Sequence, residues 1–274
     1  MTKRYAVIGD PVSHSLSPLL HQGWIADHGL DATYEARLLK SADPARAIQV
    51  LTGYNGVNVT VPHKEAAARA AERASSAVRQ LNAANTLTWL DGILHGDNTD
   101  CAGFAAALDE AAPDWRAARN ALVIGAGGAG RAVAFGLAMK DGPSITIVNR
   151  TFDRADAAAG LIELHCGRGA TARPWGALAE CVAEADIVVN TTSLGMNDAP
   201  ATWPLDDAKP SAIVADIVYR PLETGLLRSA RARGLRTVDG LGMLIHQGAR
   251  SFEIWHGIKP DVAKARARLM EALT

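Results

Sequence analysis

Hydrophobic and polar positions follow two rhythms along the chain. Up to about residue 100, short apolar runs at 5–8, 33–38, 56–61, 86–90 and 93–96 predict strands. The third run alternates, with Val57, Val59 and Val61 on one face. Asp91-Gly92 separates the last two runs and predicts a tight hairpin. Helical spacing predicts helices at 18–28, 43–51 and 64–71. Ser17 ahead of Pro18 suits an N-cap with proline at the first helical position.

Beyond that point the order becomes helix 102–111, strand 121–124, helix 131–139, strand 144–148, helix 154–164, strands 187–189 and 213–216, and helix 224–233. Apolar runs of four or five residues between longer helices indicate parallel strands covered on both faces. The fold class is therefore α/β. Residues 113–120 make a boundary zone, and the helices at 243–255 and 260–273 have no strand of their own to cover.

Composition narrows the function classes. The chain has 274 residues, 48% apolar and 21% charged, with a net charge of −1. That suits a folded globular protein and supplies no basic footprint for nucleic acid or an anionic membrane. No run approaches the ~18 apolar residues of a membrane span. The start, Met1 to Gly9, runs directly into a strand and lacks the pattern of a secretory signal. Three dispersed cysteines, Cys101, Cys166 and Cys181, fit a reducing cytoplasm better than a disulfide framework or a zinc site. The eight histidines show no metal-ligand spacing, so no metal is expected.

Gly125-Ala126-Gly127-Gly128-Ala129-Gly130 follows the strand at 121–124 and precedes a helix expected to open at Arg131. In that setting Gly-x-Gly-x-x-Gly is a dinucleotide fingerprint: the glycines permit a tight turn and close approach to a pyrophosphate at the helix N-terminus. The next strand ends in Asn149-Arg150-Thr151 with Arg154 one turn later, where an NAD site would place a carboxylate for the ribose. Guanidinium groups there suit a 2′-phosphate, so the expected cofactor is NADP(H). Such a cofactor implies carbonyl reduction, which needs a group to exchange the proton on oxygen. Lys64, just past a strand end, and Asp100, in Gly96-Asp97-Asn98-Thr99-Asp100, are candidates. At ~4 Å and an effective dielectric of ~20, such a pair attracts by roughly 4 kcal/mol. Taken alone, Lys64 reads more readily as a surface lysine at a helix start than as a catalytic group.

Several stretches together resemble the shikimate dehydrogenase family. They are the run from Ile8 to Pro18, Asn58-Val59-Thr60-Val61-Pro62-His63-Lys64, Asn85-Thr86, Gly96 to Asp100, the glycine turn, Asn149-Arg150-Thr151, Asn190 to Met196, Asp216 to Pro221 and Asp239 to Gln247. They cover nearly the whole chain in the family's order. The resemblance implies two domains: a discontinuous substrate domain, 1–101 plus 242–274, with a mostly parallel sheet, and a Rossmann-like NADP domain, 102–241. It implies that Lys64 and Asp100 are catalytic. Ser15 and Ser17 would donate to the substrate carboxylate, and Thr60, Asn85, Asp100, Tyr219 and Gln247 would bind the remaining substrate groups. Gly125, Ala126, Gly127, Gly128, Ala129, Asn149, Arg150, Thr151 and Arg154 would hold the nucleotide, with Ile217, Gly240 and Met243 beside the nicotinamide. The implied reaction is reversible reduction of 3-dehydroshikimate to shikimate, a step of aromatic amino acid and chorismate biosynthesis, by a cytoplasmic monomer or homodimer.

Three positions depart from the family pattern: Asn82 replaces a usual glycine, Ser76 a usual acid and Thr191 a common alanine. The first could alter the backbone that carries Asn85. A quinate or aminoshikimate dehydrogenase of the same family is the nearest rival, and a non-catalytic NADP-binding regulator is the rival from another class. The retained Lys64 and Asp100 speak against the regulator.

Overall fold

The computed structural model describes residues 1–139, 142–196, 199 and 201–273. It divides into two compact units, Met1–Thr99 with Ile245–Ala272, and Asp100–Leu244. In chain order the first ten elements are β1 (Lys3–Gly9), α1 (Ser17–Asp27), β2 (Ala32–Leu38), α2 (Pro44–Gln49), β3 (Gly56–Val59), α3 (Lys64–Ala70), β4 (Arg73–Ala74), α4 (Ser76–Leu81), β5 (Thr86–Leu90) and β6 (Ile93–Asp97). There follow α5 (Asp100–Ala111), β7 (Asn120–Ile124), α6 (Gly128–Ala138), β8 (Ser144–Asn149), α7 (Phe152–Cys166), β9 (Ala170–Pro174), α8 (Leu178–Glu184) and β10 (Ile187–Asn190). The last are β11 (Ile213–Asp216), α9 (Gly225–Ala232), β12 (Arg236–Val238), α10 (Gly240–His256) and α11 (Val262–Leu273).

The first unit holds a sheet ordered β2-β1-β3-β5-β6-β4. β1 runs parallel to β2 and β3, β4 parallel to β6, and β5 antiparallel to both its neighbours. Asp91 and Gly92 both take positive φ, as the β5–β6 hairpin requires. Ala6, Ile8, Val57, Val59, Leu87 and Leu94 form one core with Ile48 of α2 and with Ala66, Ala67 and Ala70 of α3. β3 ends two residues earlier than its alternation predicts, and Val61 is exposed. The chain turns because the Thr60 N–H completes the ladder to Ile8 O, and the His63 N–H then closes back on Thr60 O.

The second core of this unit is aromatic. His21 of α1 stacks on Tyr34 at 4.2 Å and meets Trp24 edge-on at 5.4 Å, and α10 contributes Phe252 and Trp255. Its Nε2 has no hydrogen-bond partner among the described residues. Burial, assisted by the nearby His256, pushes the imidazole pKa down to about 3. A histidine held neutral in the folded state and protonated in the unfolded chain stabilises fully above the unfolded value near 6.5. That stability is lost as pH falls toward the folded value. The slope is about 1.4 kcal/mol per pH unit. Wild type should therefore lose roughly 2 kcal/mol more than His21→Phe between pH 6.5 and 5. Urea unfolding of both at the two pH values measures this, and equal acid losses would contradict it.

The second unit holds a sheet ordered β12-β11-β10-β7-β8-β9, with every pair parallel. Taken in chain order this is the doubly wound dinucleotide-binding arrangement, in which the strand order reverses between β7 and β10. β10 and β11 are buried along their whole length, which explains their unbroken apolar runs. α5 packs on α6, where a side chain at Gly136 would press on the Cys101 carbonyl.

Candidate active site

In the first unit the expected substrate groups gather around the ends of β1, β3 and β5. The Ser17 N–H donates to Ser15 Oγ at 3.2 Å. Ser17 is not the N-cap: α1 already begins at Ser17, and Leu16 holds the cap position without a side-chain bond. Ser17 is buried, and the neighbouring Tyr34 phenol donates to Asn58 Oδ1 at 2.7 Å. Gly9 leaves room for the Thr60 methyl group, where any Cβ would collide.

Asn85 is buried and bonded on both ends of its amide. Its Nδ2 donates to Thr99 Oγ1 at 2.9 Å and to Gln247 Oε1 at 3.2 Å, and its Oδ1 accepts from the Thr99 N–H at 2.8 Å. Asn58 Nδ2 ties Asn85 O and Ser251 Oγ into the same network, and Ser251 Oγ donates to Gln247 O. Buried polar groups in such a satisfied network hold one arrangement. Asn58, Thr99 and Ser251 were not among the sequence candidates. The signal for Asn58 was present as a polar residue inside the apolar run Val57-Asn58-Val59.

Lys64 opens α3, and its carbonyl accepts the Ala84 N–H at 2.9 Å, which ties it to the segment carrying Asn85. A cation at a helix start opposes the helix dipole, so helix stability does not account for this lysine. Asn82 caps α4 in the left-handed region at φ 49°. Asparagine is the residue that best replaces glycine there, so the departure preserves the backbone leading to Asn85. Ser76 is the exposed first residue of α4, after the Ser75 cap.

In the second unit Asp100 is buried at the start of α5, where a carboxylate suits the dipole. α6 begins at Gly128, not at Arg131, because the Arg131 N–H already closes on Gly127 O at 2.9 Å. Gly128, Ala129 and Gly130 thus make its first turn. The glycines divide the work. Gly125 has φ +111°, and a Cβ there would meet Thr191 Oγ1 at 2.6 Å. A Cβ on Gly130 would strike the Gly125 carbonyl. Around Gly127 the space is open, and no side chain caps α6. Thr191 uses the hydroxyl that alanine lacks to bond Ile124 O at 2.8 Å, bracing the turn.

Asn149 Oδ1 accepts the Ala126 N–H at 3.3 Å, and its Nδ2 donates to Thr151 O at 2.8 Å. Thr151 caps α7 by position only, leaving its first N–H groups without a side-chain partner. Arg150 and Arg154 are exposed, and no ion pair joins either guanidinium to another described residue. Turn, helix starts and unpaired arginines fit a phosphorylated dinucleotide.

Ile217 follows β11, and its N–H donates to Asn190 O at 3.1 Å. A Cβ on Gly240 would strike Ile217 O, so only glycine lets α10 start there. Met243 is buried, and Tyr219 is half-buried. Asp216 and Asn190, absent from the sequence candidates, form a buried hydrogen-bonded pair at 3.0 Å.

Three family models match: the shikimate dehydrogenase substrate binding domain over residues 7–87, shikimate / quinate 5-dehydrogenase over 109–197, and the shikimate 5'-dehydrogenase C-terminal domain over 240–270. A shikimate dehydrogenase (NADP(+)) of Mesorhizobium japonicum is 47% identical over 99% of this chain and 97% of its own length. A shikimate 5-dehydrogenase of Thermus thermophilus, solved with NADP(H) and shikimate, superposes with a TM-score of 0.87 at 38% identity, covering 99% of this chain and 100% of that one. A quinate dehydrogenase of Corynebacterium glutamicum, solved with NAD, gives 0.90 at 30% identity, covering 98% and 99%. Among the described residues no helix is long and apolar enough to cross a membrane.

Proposed function

The chain belongs to the shikimate dehydrogenase family, and from that premise we propose that it interconverts 3-dehydroshikimate and shikimate with NADP(H), as a step of aromatic amino acid biosynthesis. The observation that carries the cofactor choice is the end of β8, where Asn149-Arg150-Thr151 and Arg154 stand in place of a ribose-binding acid. Gly125 to Ala129 and the start of α6 hold the pyrophosphate. Arg150 and Arg154, with Asn149 and Thr151, hold the 2′-phosphate. Ile217, Gly240 and Met243 border the nicotinamide.

NADPH, when bound, supplies the hydride. The protein orients the ring and moves the proton. Ser15 and Ser17 donate their hydroxyls to the carboxylate. Thr60, Asn85, Tyr219 and Gln247 bind the remaining polar groups, Asn85 and Gln247 by exchanging their mutual hydrogen bond for substrate. Lys64 and Asp100 exchange the proton at the reacting oxygen, and Asp100 also binds the substrate. The partner is thus a small molecule, and the protein works in a reducing cytoplasm as a monomer or homodimer. Among the described residues no disulfide joins Cys101, Cys166 or Cys181.

Quinate oxidation with NAD is the second reading, favoured by the Corynebacterium likeness. Steady-state rates with shikimate and quinate, each with NADP+ and NAD+, separate the two. Shikimate with NADP+ should turn over fastest, and faster quinate turnover with NAD+ would reject the proposal.

A further inference from the structure

Asp216 is a carboxylate at the end of β11, almost wholly buried, and none of its hydrogen-bond partners among the described residues is a cation. Its Oδ1 accepts from Asn190 Nδ2 and from the Val218 N–H, both at 3.0 Å. Its Oδ2 accepts from Thr224 Oγ1 at 2.7 Å. All three donors are neutral. Four ionisable groups on the neighbouring elements are engaged elsewhere. Arg228 and Arg231 of α9 bond to Glu223, and Arg236 of β12 bonds to Asp114. Asp239, ahead of α10, accepts the Leu241 and Gly242 N–H groups.

Packing alone gives no reason for a charge here. A neutral amide could accept at Oδ1 just as well, and an unpaired buried charge is costly. Burial indeed pushes the carboxyl pKa up to about 6, against the three hydrogen bonds that lower it. The group is still largely ionised at neutral pH. The next residue is Ile217, clamped between Asn190 and Gly240.

We infer that Asp216 is an electrostatic and positioning residue that favours the oxidised, positively charged nicotinamide over the reduced one. The inference rests on the proposed place of Ile217 beside that ring. A fixed negative charge near a ring that gains positive charge on oxidation stabilises NADP+ relative to NADPH. Low local dielectric makes that attraction stronger than it would be in water. The same charge holds the Val218 N–H and thereby the Ile217–Tyr219 backbone.

The test is binding, not turnover. Dissociation constants of NADP+ and NADPH are measured for wild type and Asp216→Asn between pH 6 and 8. Asparagine keeps Oδ1 for both donors, and the Thr224 hydroxyl can rotate to accept. In the variant, NADP+ should weaken relative to NADPH by about tenfold at pH 8. In wild type the preference for NADP+ should also shrink as pH falls toward 6, and in the variant it should not. An unchanged ratio, or equal weakening of both forms, would overturn the inference and leave the cofactor assignment standing. Failure of wild type to bind either form would overturn both. Should the variant not fold, calorimetry of wild type near pH 6 in buffers of different ionisation enthalpy decides. NADP+ should release more protons than NADPH, since the 2′-phosphate titrates alike in both. Equal release would reject the inference.

Discussion

Lys64→Ala is expected to lower kcat for shikimate oxidation by about 10²–10⁴-fold, while the affinity for shikimate stays within several-fold. The size follows from the role. A positioned proton-transfer group acts mainly in the transition state, so its removal shows in kcat more than in KM. The split also distinguishes catalysis from structure. Lys64 begins α3, where the dipole opposes a cation, so alanine there should not weaken the helix. The contact that ties this position to the Asn85 segment runs through the Lys64 carbonyl, which alanine retains. Stopped-flow or steady-state rates with equilibrium binding of shikimate measure both quantities. A variant that keeps most of its rate would remove Lys64 from the mechanism. One that loses rate and binding together would make it a binding residue.

The double variant Arg150→Ala, Arg154→Ala should raise KM for NADP+ by about 10²-fold and leave KM for NAD+ nearly unchanged. Charge-assisted hydrogen bonds contribute roughly 1.5–3 kcal/mol each, and two on one phosphate are not fully additive. Both guanidinium groups are exposed and free of ion pairs with described residues, so alanine there disturbs no internal bond. Steady-state kinetics with the two coenzymes give the ratio. A parallel rise for both would show that the arginines do not read the 2′-phosphate.

Much of the second unit is legible in the sequence because its physics is local. Four-residue apolar strands, a glycine run and a strand end lacking an acid each speak from adjacent residues. The edge strands β4, β9 and β12 were not legible. Strands of two, five and three residues with one free side carry little apolar pattern. The helices α4 and α8, of six and seven residues, were not legible either. At Val61 the alternation misled, since the turn begins at Thr60 and periodicity says nothing of where a chain leaves its sheet.

The site divides in the same way. Lys64, Asp100 and the arginines stand where strand ends place them. The network of Asn58, Asn85, Thr99, Gln247 and Ser251 joins positions up to 193 residues apart, and no spacing rule reaches that far. The φ of Asn82 and the Thr191 bond to Ile124 O show two departures from the family pattern to be substitutions the backbone accepts or uses.

The most direct test follows the hydrogen itself. The protein is incubated with 3-dehydroshikimate and NADPH deuterated at both C4 positions, and the product is read by mass spectrometry. The account predicts shikimate carrying one deuterium. Unchanged 3-dehydroshikimate, or shikimate without the label, would contradict it.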